Sequence, residues 1–364
     1  MSAGMSAGAS AAAAEQSAQD DVQIGHFESE FIATPLPEFV WTELENLYSS
    51  VYASRMIIHA HAESGAKFTN LHVWIERKQG AITALLLFQR KGPEVWVLNE
   101  VIALSPQTVI RFANAVFVND SHAHLVRLHA IALKWPSTNT ALWQSIFSED
   151  YVLDLPADYD QWMAGLSRQT REKLRYHLRR SFRRQPGLEF TVQRVGDISD
   201  TDVRKVLRLN RERMNRKGRA YGMSETDEAR LSAQIQSVGM LCALKIEGEI
   251  CAGLLCSAVG SDIYMHVIAH DPRYDDLRLG LLCCCLTIRH AISQKYIRFH
   301  FLWGHYDYKR KLGGKPVPLS RLLIRRNVWQ SVRHPVLTGR WLMLAARDSL
   351  RRLRQSLRTG ARSC

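Results

Sequence analysis

The chain has 364 residues, of which 46% are hydrophobic and 23% charged, as is typical of a globular protein with room for one to three domains. Its formal net charge of +13 comes from two basic segments, 168–184 and 321–364, and the remaining residues are together mildly acidic, which argues against a general nucleic-acid binder. No apolar run reaches the roughly 18 residues of a membrane-spanning helix. The seven cysteines form no C-x-x-C pair, so we expect buried, reduced thiols rather than disulfides or a metal site.

The first part of the chain begins with an Ala/Ser/Gly-rich stretch, 1–22, which indicates a disordered tail or a misannotated start and not a signal peptide. Apolar periodicity and turn residues then predict an α+β domain over residues 23–150. Its predicted elements are a helix at 39–55, strands at 71–77, 81–89 and 94–99, a helix from Ser105 to 118, and a strand at 125–131.

Residues 151–320 form the second predicted domain. Its predicted elements are a helix at 158–184 whose continuity at Gly165 is left open, a strand at 189–194, helices at 199–217 and 225–238, strands at 241–247, 249–259 and 261–269, a helix at 280–293, and a strand at 296–303. This order is not the alternation of a doubly wound sheet. The sequence contains no G-x-G-x-x-G and no P-loop motif, which argues against an enzyme that uses a nicotinamide cofactor or ATP.

The remaining segment, 321–364, is basic and carries a predicted amphipathic helix at 340–358. Leucines lie on one side of this helix and arginines elsewhere. That pattern is typical of a helix on an anionic lipid surface, and the alternatives are a helix docked on the protein or a partly disordered segment.

Several short motifs in the second domain follow one another in an order that resembles a known family. They are Leu153-Asp154-Leu155-Pro156, Arg171 with the basic helix after it, Tyr264 with Asp271-Pro272, Gly280, and Phe299 to Leu302 followed by Gly304 and Tyr308-Lys309. Over roughly residues 151–315 the chain is similar to GNAT-superfamily acyltransferases of the CelD/BioF2-like type, which are related to the FemAB and Mig-14 proteins.

The resemblance implies a GNAT-like α+β fold, with a mixed, mostly antiparallel sheet flanked by helices. The sheet would be splayed open between the strands at 261–269 and 296–303, and the pantetheine of acyl-CoA would lie in the splay. The resemblance also admits a tandem GNAT-like arrangement, in which residues 23–150 are a degenerate first half.

The function implied by the resemblance is an acyl-CoA-dependent N-acyltransferase that transfers an acyl group, for example acetyl, to an amine of an envelope polysaccharide or glycolipid precursor. Acyl-CoA would be the co-substrate, and no metal is expected. One alternative is a FemAB-like transferase that uses aminoacyl-tRNA, which would then be the one nucleic-acid partner. Another is a non-catalytic membrane-surface assembly factor in polysaccharide biosynthesis. The expected location is cytoplasmic, with the helix at 340–358 as a candidate contact to the inner face of the cytoplasmic membrane.

Acyl-CoA binding is expected at the start of the helix at 280–293. A helix that begins at a glycine just past a strand presents unpaired N–H groups and the positive end of its dipole, which suit a pyrophosphate. The residues expected to bind the cofactor are Arg278, Leu279, Gly280 and Leu281.

Acyl transfer to an amine needs a deprotonated amine, a polarised thioester carbonyl and a proton for the departing thiolate. Candidates for the base are His266, His270 and Asp307, and the spacing of the two histidines in a strand would place them on one face. Tyr308 is the candidate proton donor. The basic helix fits an anionic substrate, membrane phosphate or a solvated face. The residues expected to bind the substrate are His300, Lys309 and Arg175.

Overall fold

A computed structural model describes residues 27–58, 70–133, 142–216, 218, 221–304, 306–327, 339, 343–344 and 346–350. The strands are β1 (Phe27–Ala33), β2 (Leu71–Lys78), β3 (Ala81–Lys91), β4 (Glu94–Val97), β5 (Ile102–Ala103), β6 (Leu125–Ala132), β7 (Leu142–Asp154), β8 (Leu188–Arg194), β9 (Gly239–Ile246), β10 (Glu249–Val259), β11 (Asp262–His270), β12 (Arg298–His300) and β13 (Lys315–Arg325). The α-helices are α1 (Glu38–Tyr48), α2 (Pro106–Asn119), α3 (Tyr159–Gly165), α4 (Arg168–Arg184), α5 (Asp200–Arg216), α6 (Glu225–Val238), α7 (Leu279–Ser293) and α8 (Asp307–Lys311).

Local sequence signals set several of these boundaries. Asp158 and Ser167 each accept a hydrogen bond from a first-turn amide, so the segment predicted at 158–184 forms two capped helices, α3 and α4, that separate just after Gly165. Glu247 and Gly248 both adopt positive φ, as a tight two-residue turn requires, and they join β9 to β10 in the predicted hairpin.

Within the described residues, all strands belong to one mixed sheet that is mostly antiparallel. The order is β1-β2-β3-β4-β6-β13-β7-β12-β11-β10-β9-β8, and β5 pairs with β6 beside this path. The parallel pairs are β4 with β6, β5 with β6, and β11 with β12. The predicted α+β fold, a mixed sheet flanked by helices, is therefore confirmed.

The centre of the sheet joins the two predicted domains. Strand β13 pairs with β6 of the first half and with β7, and β7 in turn pairs with β12 of the second half. The boundaries predicted at 150/151 and 320/321 thus fall inside two strands that pair with each other. The backbone pairing does not follow that division, because the hydrogen bonds of β7 and β13 bridge both halves.

Helices cover both faces of the second half. Helix α7 packs on one face, and Cys283, Cys284 and Cys285 are buried there with apolar strand residues. Helices α5 and α6 cover the other face through residues such as Val206 and Ile235. The six cysteines in the described residues are buried and free, as the sequence predicts.

The basic C-terminal helix predicted at 340–358 lies mostly outside the described residues. Within the described part, Asp348 is buried and pairs with Arg321 of β13, while Met343 and Leu350 are exposed. Every helix among the residues that the structure describes is too short or too polar to cross a membrane.

Candidate active site

The site is built around a gap between β11 and β12. The two strands pair in parallel only from Asp262 with Arg298 to Tyr264 with His300. Beyond that point β11 continues to His270, whereas the amide of the residue after His300 donates instead to Tyr151 O of β7 at 2.8 Å. The strands therefore separate, and the splay implied by the resemblance is present.

A β-bulge lies in β11 at the start of the splay. Cys256 pairs with Met265 and Leu255 pairs with Val267, so His266 is the extra residue on its strand. A bulge shifts the alternation of side chains by one residue. His266 therefore contacts Gln234 of α6, whereas His270 lies against α7 on the other face. The expectation that both histidines share one face is wrong for this reason.

The bulged histidine is held in its neutral form. Burial lowers the pKa of His266 to about 4. The side-chain amide of Gln234 donates to His266 Nε2 at 3.1 Å and to Ser257 Oγ at 3.0 Å. His266 Nε2 thus acts as an acceptor, and the ring proton of the neutral imidazole lies on Nδ1.

The N-terminus of α7 lies at the open end of the splay, because α7 follows the carboxyl end of β11. Arg278 has left-handed backbone (φ 57°) and precedes the helix, and the first helical bond runs from the Leu282 amide to Arg278 O at 3.1 Å. The amides of residues 279–281 consequently have no intrahelical acceptor. These are the amides expected to bind a pyrophosphate.

The first turn of α7 packs closely on the end of β11. A Cβ on Gly280 would lie 3.0 Å from His270 Nδ1, and His270 Nε2 is 2.7 Å from Asp275 Oδ1. His270 therefore lies at the N-terminus of α7, where the cofactor is expected to bind. The other basic side chains around this turn are Arg180 and Arg184, which both pair with Asp276, and Arg216, which is 3.5 Å from Asp275 Oδ2.

A buried charge cluster lies beneath the splay. His300 Nδ1 is 2.6 Å from Asp150 Oδ2, and His300 Nε2 is 3.2 Å from Asp262 Oδ2. Burial lowers the pKa of His300, but its hydrogen bonds to the two carboxylates outweigh burial and raise the pKa above the ordinary value. Its ring stacks on Tyr264 with the centroids 4.2 Å apart. Both ring nitrogens of His300 are occupied and the residue is buried, so His300 supports the base of the splay. The expectation that His300 contacts the substrate is not met.

Lys309 is also structural in this arrangement. Only 2% of it is exposed, and its Nζ donates to Leu302 O at 2.8 Å and Trp303 O at 2.7 Å. Burial lowers the pKa of this ammonium to about 8. Lys309 therefore fixes the loop at the edge of the splay. The expectation that Lys309 binds the substrate is not met, because its ammonium group donates to the two loop carbonyls.

The neighbours of Lys309 on α8 differ in their surroundings. Asp307 is exposed at the first turn of the helix. Tyr308 is half-buried against Phe301, and burial raises its pKa, so its hydroxyl keeps its proton at neutral pH. Arg175 is exposed on α4.

The structure adds an aromatic wall that sequence reasoning missed. Tyr52, from the first half of the chain, has its ring centroid 5.4 Å from that of Trp303, 6.2 Å from that of Tyr264 and 6.3 Å from that of His266. Tyr52 also lines a cavity of about 260 Å³ between β4, β6 and Arg321 of β13. No motif surrounds Tyr52, so only the pairing of the two halves could place it here.

Comparisons with known proteins agree with this geometry. A family model described as an acetyltransferase (GNAT) domain matches residues 168–310. The solved structure of FemX is similar over 82% of this chain and 99% of its own, with 11% identity and a TM-score of 0.57. A conserved protein of unknown function from Bacteroides thetaiotaomicron is similar over 82% of this chain and 100% of its own, with 12% identity and a TM-score of 0.51. At these identities the likeness shows the fold alone. Comparison with curated protein sequences found no match.

Proposed function

Residues 168–310 form an acetyltransferase domain of the GNAT family, which makes this protein an acyltransferase, and from this premise we propose its donor and acceptor. The donor is an acyl-CoA, acetyl-CoA or longer. The acceptor is an amine of an envelope polysaccharide or glycolipid precursor. The non-catalytic alternative is set aside because the chain carries an acyltransferase domain.

The single observation that carries the choice of donor is the splay with a helix N-terminus at its open end. Strand pairing stops at Tyr264 and His300, which leaves room for an extended chain such as pantetheine between the strands. The amides of residues 279–281 then face the anionic end of the same ligand. Arg278 is exposed beside them and adds positive charge.

The proposed reaction joins the acceptor nitrogen to the acyl carbon and breaks the carbon–sulfur bond of the thioester. The amine proton passes to a base, and the departing thiolate takes up a proton. We assign the base to His266, which is neutral at the pH of the reaction and lies at the bulge where the splay begins. Its Nε2 takes up the proton after the hydrogen bond that it accepts from Gln234 has broken. Tyr308 is the proposed proton donor, since burial keeps its hydroxyl protonated. Asp307 stays an alternative base, and His270 is proposed to help hold the cofactor.

An alternative donor is an aminoacyl-tRNA, and one observation favours it. Helix α4 exposes a row of basic side chains for which the described residues show no ion-pair partner, namely Lys173, Arg175, Arg179 and Arg183. Such a row could contact nucleic-acid phosphates, and the binding would then weaken steeply with salt. The same row, which includes Arg175, would also suit an anionic glycan or lipid surface near the cytoplasmic membrane.

A thermal-shift titration with coenzyme A, acetyl-CoA and a long-chain acyl-CoA tests the choice of donor. A ligand at about 100 times its dissociation constant stabilises the folded state by roughly 2.7 kcal/mol, which raises Tm by a few degrees. We expect a shift that depends on the acyl chain, together with thiol release when amines are added. The absence of any shift, combined with salt-sensitive binding of tRNA, would overturn the acyl-CoA proposal in favour of aminoacyl-tRNA.

A further inference from the structure

We propose that the cavity beside Tyr52 is the acceptor site, and that the acceptor is a primary amine that also carries an anionic group. This inference rests on the proposed N-acyl transfer and names the substrate class for it. The cavity of about 260 Å³ lies between β4, β6 and the segment around Ile57, and Arg321 of β13 completes its lining.

The cavity lies next to the splay. Tyr52 forms a wall of the cavity and also approaches His266 and Trp303 at the splay. The cavity and the proposed reaction centre therefore share the Tyr52 side chain as a wall, and the amine of a molecule bound in the cavity would pass this ring to reach the acyl group.

Glu100 places a carboxylate at the wall of the cavity. Its Oε1 lies 2.9 Å from Nδ1 of His129, and the two side chains are 36% and 39% exposed, respectively. A carboxylate has two oxygens with about four acceptor positions, so Glu100 can accept further hydrogen bonds beside this contact. Glu100 is thus suited to attract an ammonium group at one part of the cavity wall.

Two guanidinium groups line the same cavity. Arg127 donates to Glu94 Oε2 at 2.9 Å and lies over the ring of Trp96 at 4.4 Å. Arg321 pairs with Asp348. A guanidinium has five N–H donors, so each arginine keeps donors for a further anion after its ion pair is made. The cavity wall therefore carries the carboxylate of Glu100 and the remaining N–H donors of two arginines whose charges are paired with Glu94 and Asp348, which matches an amine that also carries a phosphate or carboxylate able to accept those N–H groups.

Size limits the part of the acceptor that enters. Ligand sites commonly have volumes of about 300–1,000 Å³, so a cavity of about 260 Å³ suits one sugar ring or one amino-acid-sized group. Its remaining walls include the apolar side chains Ile57, Val97 and Leu128. A longer glycan or lipid would have to extend outside.

The experiment measures binding of matched amines to the full chain by calorimetry, with coenzyme A present and absent. The ligands are glucosamine, glucosamine 6-phosphate and vesicles of phosphatidylethanolamine, with phosphatidylcholine vesicles as the amine-free control. We expect the phosphorylated sugar to bind more tightly than glucosamine, by about tenfold or more. Binding of the vesicles alone would assign the anionic amine to a lipid headgroup, and binding of the sugar phosphate alone would assign it to a soluble precursor.

Two variants locate the binding. Ile57→Trp fills the cavity, and Glu100→Gln removes its carboxylate; each should raise the dissociation constant of the preferred amine about tenfold or more while leaving coenzyme A affinity unchanged. Glu30→Gln on β1 is the matched control, since Glu30 pairs with Arg77 at the surface and should have no effect.

The outcomes separate this inference from the proposed function. If none of the amines binds to the native chain, or if both cavity variants bind like the native chain, the inference is overturned even when acyl-CoA binds. If the amines bind and respond to the variants but acyl-CoA does not bind, the acceptor site stands and the choice of donor is rejected.

Discussion

His300 Nδ1 lies 2.6 Å from Asp150 Oδ2, and this contact ties the short strand β12 to β7 below the point where β11 and β12 separate. Asp150 is buried, and its second oxygen, Oδ1, has no hydrogen-bond partner among the described residues. A buried carboxylate beside an imidazole is stable only when the imidazole carries its proton or supplies a strong hydrogen bond. The base of the splay is consequently held by an ion pair.

We expect Asp150→Asn to lower the pKa of His300. In the native protein this pKa lies above the ordinary 6.5, so the ion pair stabilises the fold fully below pH 6.5, and its contribution is lost as the pH rises through the folded-state value. The difference in free energy of unfolding between native protein and variant should therefore shrink as the pH rises above 6.5. Imidazole ¹⁵N shifts and urea unfolding measure the two effects. A pKa of His300 that the variant leaves unchanged would contradict the assignment.

Lys309→Met should weaken the loop at the edge of the splay. The substitution leaves the carbonyls of Leu302 and Trp303 without their donor, and we expect a loss of stability of about 1–3 kcal/mol. The folded protein releases this proton near pH 8, whereas an unfolded lysine does so near 10.4. Native stability should therefore rise relative to the variant between those pH values, because the unfolded chain binds more protons there. Denaturant unfolding of both proteins at several pH values tests this prediction. A difference in free energy of unfolding that does not change with pH would refute it.

Gly280→Val should reduce acyl-CoA affinity. The added side chain begins 3.0 Å from His270 Nδ1 and covers the amides proposed to bind pyrophosphate. Loss of one hydrogen bond to a charged group corresponds to a change of about tenfold or more in dissociation constant. Gly165→Val on α3 is the matched control, since nothing lies within 4 Å of its added Cβ. Equal affinities of the two variants would show that the pyrophosphate binds elsewhere.

Gly253→Ala should destabilise the second half. Its Cβ would lie 2.5 Å from Val206 Cγ2, where β10 packs against α5. Overpacking of this kind typically costs about 1–3 kcal/mol. Val206→Ala makes room for the new methyl group, so the double variant should lose about 0.5–3 kcal/mol less than the sum of the two single variants. Thermal and urea unfolding of the native protein, the two single variants and the double variant completes this double-mutant cycle. Strictly additive losses of stability would argue against the contact between the two positions.

Gln234→Glu should raise the pKa of His266 from about 4, since it places a carboxylate where an amide now donates to Nε2. Nearby opposite charges commonly shift a pKa by about 1–3 units. If His266 is the base, the acidic limb of the pH–rate profile should move upward by the same amount. Gln169→Glu, on the exposed first turn of α4, adds the same charge away from the site and should change neither quantity. Movement of the histidine pKa without movement of the rate profile would favour Asp307 as the base.

The sequence by itself determined the longer helices of the second half and the turn between β9 and β10, whereas the short helix α8 was missed and the break between α3 and α4 was left open. Side-chain caps such as Ser167 and the positive-φ turn at Glu247-Gly248 act between residues only a few positions apart, so their pattern is legible in the chain. Apolar periodicity likewise predicted α7, and the ordered motifs indicated the GNAT-like fold. The segments that became β1 and β13, and most of β7, were missed.

Only the tertiary structure decided the site. Asp150 and His300 are 150 residues apart, and Ser49 and Tyr264, which bring Tyr52 to the splay, are 215 apart. No local propensity encodes such contacts, because they depend on β7 and β13 pairing in the middle of the sheet. The bulge at His266 likewise arises from the pairing of two strands, and it moved one predicted histidine to the other face. Short-range hydrogen bonds fix the elements, whereas long-range strand pairing fixes which side chains meet.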